Sequence, residues 1–166
     1  MSTLAGKLAN VRLVAFDVDG VFTDGRFYLS DDGIESKAFN TQDGFGIRQL
    51  VKAGIAVAVI SGRKSGAVER RMTELGVPYI VQGCSDKVAA LESIAERLDI
   101  TAAECVYVGD DIPDLPLLQY VGIPIAVANA VAQLHEVCDY TTKAAGGFGA
   151  VREVCELVIA RQGGNS

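Results

Sequence analysis

Two rhythms of apolar positions alternate along the chain. Short, almost unbroken apolar runs at residues 11–16, 55–60, 79–81, 105–108 and 123–128 predict strands buried on both faces. Between them apolar residues recur at three- and four-residue steps, as in Val88, Leu91, Ile94, Ala95 and Leu98. This spacing predicts helices over 46–53, 65–75, 86–98, 115–120, 131–137 and 150–160. Gly54 and Gly76 supply stops. Thr101 and Glu104 have capping-box spacing, but the turn they start runs at once into the strand at 105. A short strand at 140–142 precedes the last helix, and 162–166 reads as a frayed tail.

The alternation predicts an α/β fold, a doubly wound, Rossmann-like parallel sheet forming a single domain over 1–166. One segment departs from it. Residues 26–29 and 35–39 flank Ser30-Asp31-Asp32-Gly33, whose residue types suit a hairpin turn, so a β-hairpin flap is expected after the first strand.

Composition narrows the function classes. A chain of 166 residues is most simply one domain, and at that size it buries roughly 70% of its unfolded surface without a metal or disulfide staple. Its net charge of −6 and the lack of a Lys/Arg-rich tract exclude a phosphate-backbone footprint, so no nucleic-acid partner is expected. Apolar runs such as 54–60 fall far short of the roughly 20 residues that span a bilayer. The first ten residues carry Lys7 as their one charge and lack a long apolar core, which argues against a signal peptide, so a cytoplasmic location is expected. Cys84, Cys105, Cys138 and Cys155 are scattered and form no Cys-x-x-Cys pair, so no zinc site or disulfide framework is signalled. The single histidine, His135, reads as a helix-end surface residue, which disfavours histidine-based nucleophilic catalysis.

The candidate chemistry sits at strand ends. The first strand empties into Asp17-Val18-Asp19-Gly20, and residues two apart in extended backbone project to the same side. Open parallel sheets bind ligands at the carboxyl ends of their strands, and two carboxylates held together call for a divalent cation or a shared proton. Ser61 follows the second apolar run, Lys87 opens a helix, and Gly109-Asp110-Asp111-Ile112-Pro113-Asp114 follows the run at 105–108. Each has an ordinary alternative: an Asx turn, a helix cap, a solvated helix residue, an acidic turn.

Together and in this order they resemble the haloacid dehalogenase superfamily of aspartyl-phosphate phosphatases. The likeness covers nearly the whole chain, with motifs at 16–23, Ser61, Lys87 and 109–114. It implies that Asp17 is the nucleophile and Asp19 the general acid and then base. Ser61 would bind a phosphoryl oxygen and Lys87 would screen charge. Mg²⁺ would be held by the Asp17 and Asp110 carboxylates and the Asp19 carbonyl, while Asp111 and Asp114 orient waters or Lys87 from behind. Relatives often insert a cap domain between these motifs, and this chain has room for none.

Within the superfamily the chain resembles most the capless branch that acts on an eight-carbon ulosonate 8-phosphate in lipopolysaccharide precursor synthesis. The likeness rests on the stretches 19–25, 39–46, 61–64, 82–83 and 149–154. It implies that Asp19, Asn40, Thr41, Gln42, Asp43, Gly44, Arg63, Arg71 and Lys87 contact substrate. The two arginines suit a sugar acid, since a guanidinium fork grips a carboxylate bidentately, though both could instead form surface ion pairs. The branch is tetrameric. An open site and a short flap bearing Phe27, Tyr28, Leu29, Ile34 and Phe39 fit a homotetramer with shared pockets, to which glycines 146, 147 and 149 leave the tail segment free to contribute. Phe148 stands where the branch usually has Arg, so a weaker grip from that segment is expected.

Three rivals stay open. A sister group acts on nine-carbon ulosonate 9-phosphates but tends to carry Glu where this chain has Arg63. A phospho-receiver signalling domain gathers similar groups, although its phosphorylated Asp closes a middle strand, where this chain has Ser61. A sugar-phosphate mutase would need a cap to shield its phosphoenzyme.

Overall fold

The computed structural model describes residues 3–162. A one-turn helix α1 (Leu4–Leu8), capped by Thr3, leads into β1 (Leu13–Phe16). The flap follows as β2 (Tyr28–Leu29) and β3 (Glu35–Ser36), an antiparallel pair of two residues each. Then come α2 (Thr41–Lys52), β4 (Ala56–Ile60), α3 (Gly66–Leu75), β5 (Tyr79–Val81) and α4 (Lys87–Leu98). A 3₁₀ turn at Ala102–Glu104 closes with the Thr101/Glu104 capping box and feeds β6 (Cys105–Gly109). A second turn at Ile112–Asp114 opens α5 (Leu115–Tyr120), followed by β7 (Ile123–Ala126), α6 (Ala132–His135), β8 (Tyr140–Thr141) and α7 (Ala150–Gln162).

Six strands form one parallel sheet in the order β5-β4-β1-β6-β7-β8. Strand alternation sorts its side chains into two cores. Val14 and Phe16 of β1, with Val57, Val59, Val106 and Val108, meet Leu8 of α1, Ile47 and Leu50 of α2, Val68 and Met72 of α3, and Val151, Val154 and Val158 of α7. Leu13, Ala15, Ala58, Ile60 and Tyr107 face Leu91 and Ile94 of α4, Leu117 and Leu118 of α5, and Leu134 of α6. The sheet is doubly wound, with its order reversing at β1, and such switch points open a crevice beyond the strands' carboxyl ends. Among the described residues no domain is inserted between these elements; the flap alone interrupts the sequence from β1 to α2.

Three expectations shift. The helix predicted from 46 begins at Thr41, where the Asn40 side chain accepts from the Gln42 N–H at 2.8 Å. The start was hidden by Gly44 and Gly46. Gly46 packs so closely on α7 that a Cβ there would lie 3.1 Å from the Arg152 Cα. In the flap, Phe39 turns inward and packs against the chain's own core, so it is not part of an exposed face. Gln162, read as frayed, belongs to α7 and donates to the Leu8 and Val11 carbonyls, whereas 163–166 lie outside the described residues.

Candidate active site

At the carboxyl ends of β1, β4 and β6 lies a cavity of about 350 Å³, and its walls include Asp17, Asp19, Ser61, Arg63, Lys87, Asp110, Asp111 and Asp114. The loop after β1 is wound tight. The Val18 carbonyl accepts from the N–H groups of Val21, Phe22 and Thr23, and Thr23 Oγ1 accepts from those of Gly20 and Gly25. Gly20 has φ +84° and a Cβ there would come within 1.8 Å of Asp110 Oδ2, so only glycine lets the two acidic loops meet.

The charges are tightly organised. Lys87, at the first position of α4, is buried with Nζ 2.7 Å from Asp114 Oδ1 and 3.4 Å from Asp17 Oδ1. Tyr107, fully buried in β6, donates to the same Asp114 oxygen at 2.5 Å. Asp114 Oδ2 accepts from the Asp110 and Asp111 N–H groups. Burial opposes the charged form of Asp114, but Lys87 and these hydrogen bonds outweigh it and hold the carboxyl below its usual range. Burial likewise opposes the charged form of Lys87, and the charges of Asp17 and Asp114 overcome it, raising its pKa.

Asp17 and Asp110 have no such surplus of donors. Burial, then the neighbouring negative charges, push Asp17 up to about 7 and Asp110 to about 8. Asp17, Asp110 and Asp114 each present a carboxylate oxygen, all within 4.8 Å of one another. Asp114's oxygens are already engaged by Lys87, Tyr107 and two backbone donors. Asp17 and Asp110 are left as hard oxygen ligands whose mutual repulsion a divalent cation relieves, and oxygen donors of this kind suit Mg²⁺. The residues fit the metal.

A family model for haloacid dehalogenase-like hydrolases matches residues 79–153. The 3-deoxy-D-manno-octulosonate 8-phosphate phosphatase of Escherichia coli K12 is 46% identical over 95% of this chain and 84% of its own. The chain belongs to this phosphatase family of haloacid dehalogenase-like hydrolases. A crystal structure of the family's enzyme from Yersinia pestis superposes with TM-score 0.94 at 42% identity, covering 96% of this chain and 86% of that one. Another, from Moraxella catarrhalis in complex with magnesium ion, phosphate ion and a KDO molecule, has TM-score 0.93 at 44% identity and covers 95% and 91%.

Against the family pattern the structure divides the expected site residues. Asp17, Asp19, Ser61, Arg63, Lys87, Asp110, Asp111 and Asp114 share the cavity. Arg71 lines a neighbouring hollow with Lys37, Phe39 and Glu74, and Asn40 lies beside Phe148 at a third. Thr41 and Gln42 occupy the exposed first turn of α2. Asp43 and Gly44 are buried. The Asp43 carboxylate is turned away from solvent and accepts from the Arg152 N–H at 3.0 Å, joining α2 to the start of α7, so its side chain is no open substrate contact.

Lys37, Tyr107 and Asn129 went unread in the sequence. Asn129 donates to the Gly20 carbonyl at 3.0 Å and accepts from the Gly146 N–H at 2.7 Å. The tail segment is thereby fastened to the loop after β1 of its own chain. A Cβ at Gly146 would lie 1.9 Å from the Gly20 carbonyl oxygen, so glycine is required here for packing within the chain and does not leave the segment free.

Proposed function

We propose that the chain is a Mg²⁺-dependent phosphatase that hydrolyses 3-deoxy-D-manno-octulosonate 8-phosphate to the free sugar acid and phosphate in lipopolysaccharide precursor synthesis. The observation that carries this reading is Asp17, buried in the wall of the cavity between Lys87 and Asp110 in a chain 46% identical to that phosphatase. Asp17 and Asp110 would hold the metal with the Asp19 carbonyl. Bound Mg²⁺ screens the charge shared by the nucleophile and the phosphoryl group. Asp17 attacks phosphorus and becomes an aspartyl-phosphate while Asp19 protonates the leaving sugar oxygen. Asp19 then takes a proton from the water that releases phosphate and regenerates Asp17. Ser61 holds a phosphoryl oxygen, Lys87 adds positive charge beside Asp17, and Arg63 at the rim grips the sugar carboxylate.

We further propose a single-domain, cytoplasmic protein that works as a homotetramer with shared pockets. Among the described residues no helix is long and apolar enough to cross a membrane. The flap exposes Tyr28, Leu29 and Ile34 to 74%, 65% and 65%, an apolar face that a two-residue ladder cannot cover. Asn40, Thr41, Gln42 and Arg71 stand outside the cavity of their own chain yet reach the surface, which favours a pocket completed by a neighbour.

The test is a panel of sugar phosphates, including eight- and nine-carbon ulosonate esters, assayed for phosphate release with and without Mg²⁺. The expected result is release from the eight-carbon ester, lost in EDTA and restored by Mg²⁺. Preference for the nine-carbon ester would move the chain to the sister group, and phosphorylation without release would make it a receiver.

A further inference from the structure

The flap brings its own line of charge to the site. Lys37, two residues beyond Glu35, is 2.7 Å from Asp19 Oδ1 and 3.5 Å from Glu35 Oε2, and its side chain is only 1% exposed. Glu35 Oε1 accepts from the Arg63 guanidinium, which also lies over the Phe27 ring at 4.3 Å. Four charges of alternating sign therefore run Arg63, Glu35, Lys37, Asp19. The sharing within this line is uneven. Glu35 Oε2 is buried without a hydrogen bond, a costly state for a carboxylate oxygen, while Lys37 sits close to Asp19.

Resting on the reading above, in which Arg63 grips the substrate carboxylate and Asp19 serves the leaving oxygen, we propose that Glu35 is a pivot between the two. In the free enzyme Glu35 occupies Arg63 in place of the substrate's carboxylate. A sugar-acid phosphate takes the guanidinium fork for itself, and Glu35 turns wholly to Lys37. Its Oε2, 3.5 Å from Lys37 and without a hydrogen bond in the free enzyme, then draws that ammonium from Asp19, whose carboxyl is freed to reach the leaving oxygen. A phosphate ester without a carboxylate leaves Glu35 on Arg63 and Asp19 on Lys37. Recognition of the acid is thus expressed in kcat as well as KM, as expected when binding contacts are spent on the chemical step.

Glu35→Gln tests this, since the amide keeps the size of the side chain but has no charge with which to hold Arg63 or draw Lys37. Purified full-length protein with Mg²⁺ is assayed on the eight-carbon ulosonate phosphate and on p-nitrophenyl phosphate. KM for the ulosonate should fall about threefold, the scale of a half-exposed ion pair. The ratio of kcat on the ulosonate to kcat on the aryl ester should fall about tenfold, within the range of general acid catalysis. A rise in KM would make Glu35 a support for Arg63, and an unchanged kcat ratio would leave it a bystander; either overturns the pivot. Arg63→Met, run alongside, should raise KM for the ulosonate about tenfold or more. If it does not, the carboxylate reading fails; if it does while Glu35→Gln leaves the kcat ratio unchanged, only the pivot falls. Should Glu35→Gln melt below assay temperature, Glu35→Asp, which keeps the charge but loses the reach, is judged by the same kcat ratio.

Discussion

Asp17 carries two burdens that one substitution separates. If it is the nucleophile proposed above, Asp17→Asn should lower turnover more than about a thousandfold in a phosphate-release assay. As a carboxyl raised to about 7 by burial and by Asp114, it also costs the metal-free fold stability. With the folded value above the unfolded one, there is no cost below the unfolded value near 3.8, and the cost grows as pH climbs to the folded value. In EDTA, the inactive Asp17→Asn should therefore melt higher than wild type at pH 8, by a margin that shrinks at pH 5. A margin independent of pH would mean that the charge is not what strains the site. Asp19 makes a different demand. If it serves the leaving oxygen, Asp19→Asn should lose about a hundredfold or more on a sugar phosphate and much less on an aryl ester whose leaving group needs no proton. Equal losses on both would remove it from that role.

At the scale of elements, the joint between α2 and α7 shows why Asp43 looks different in sequence and in space. Its carboxyl, raised to about 6 mainly by burial, supplies the acceptor for the Arg152 N–H. Asp43→Asn keeps an acceptor and drops the buried charge, so it should melt at or above wild type at pH 7.5 and lose that advantage towards pH 4. Asp43→Ala leaves the N–H bare and should cost about 1 kcal/mol in denaturant melts.

The same joint marks the limit of what the sequence reveals. The sheet strands were legible because burial on both faces leaves an apolar run, and the carboxylates were legible because they interrupt such runs at their ends. The first turn of α2 was not, since Gly44 and Gly46 serve packing and erase the helical period. α1 was missed because two leucines and a threonine cap make too little pattern. Tyr107 reads as core from its strand, and nothing in the spacing tells that its hydroxyl reaches Asp114. Lys37 reads as a flap charge until the hairpin folds it over Asp19.

The whole molecule presents an apolar flap and an open pocket, and the two belong together if subunits close over each other. Light scattering at assay concentration should return a tetramer. Tyr28→Asp, placing a charge on the exposed flap, should shift it towards smaller species and raise KM for the ulosonate ester, and a fully active monomer would end the shared-pocket reading. The strand order has one more consequence, for the chain as it is being made. β1 leaves the ribosome first, yet it is the central strand, and its second neighbour, β6, ends only at Gly109. Until then one edge of an apolar strand stands unpaired, and the acidic loop that ends in Asp19 has no Asp110 opposite it. A chain halted at Leu98 should therefore bind no Mg²⁺ by calorimetry and should associate through the bare edge of β1. The nascent enzyme is at its stickiest while its chemistry is still missing.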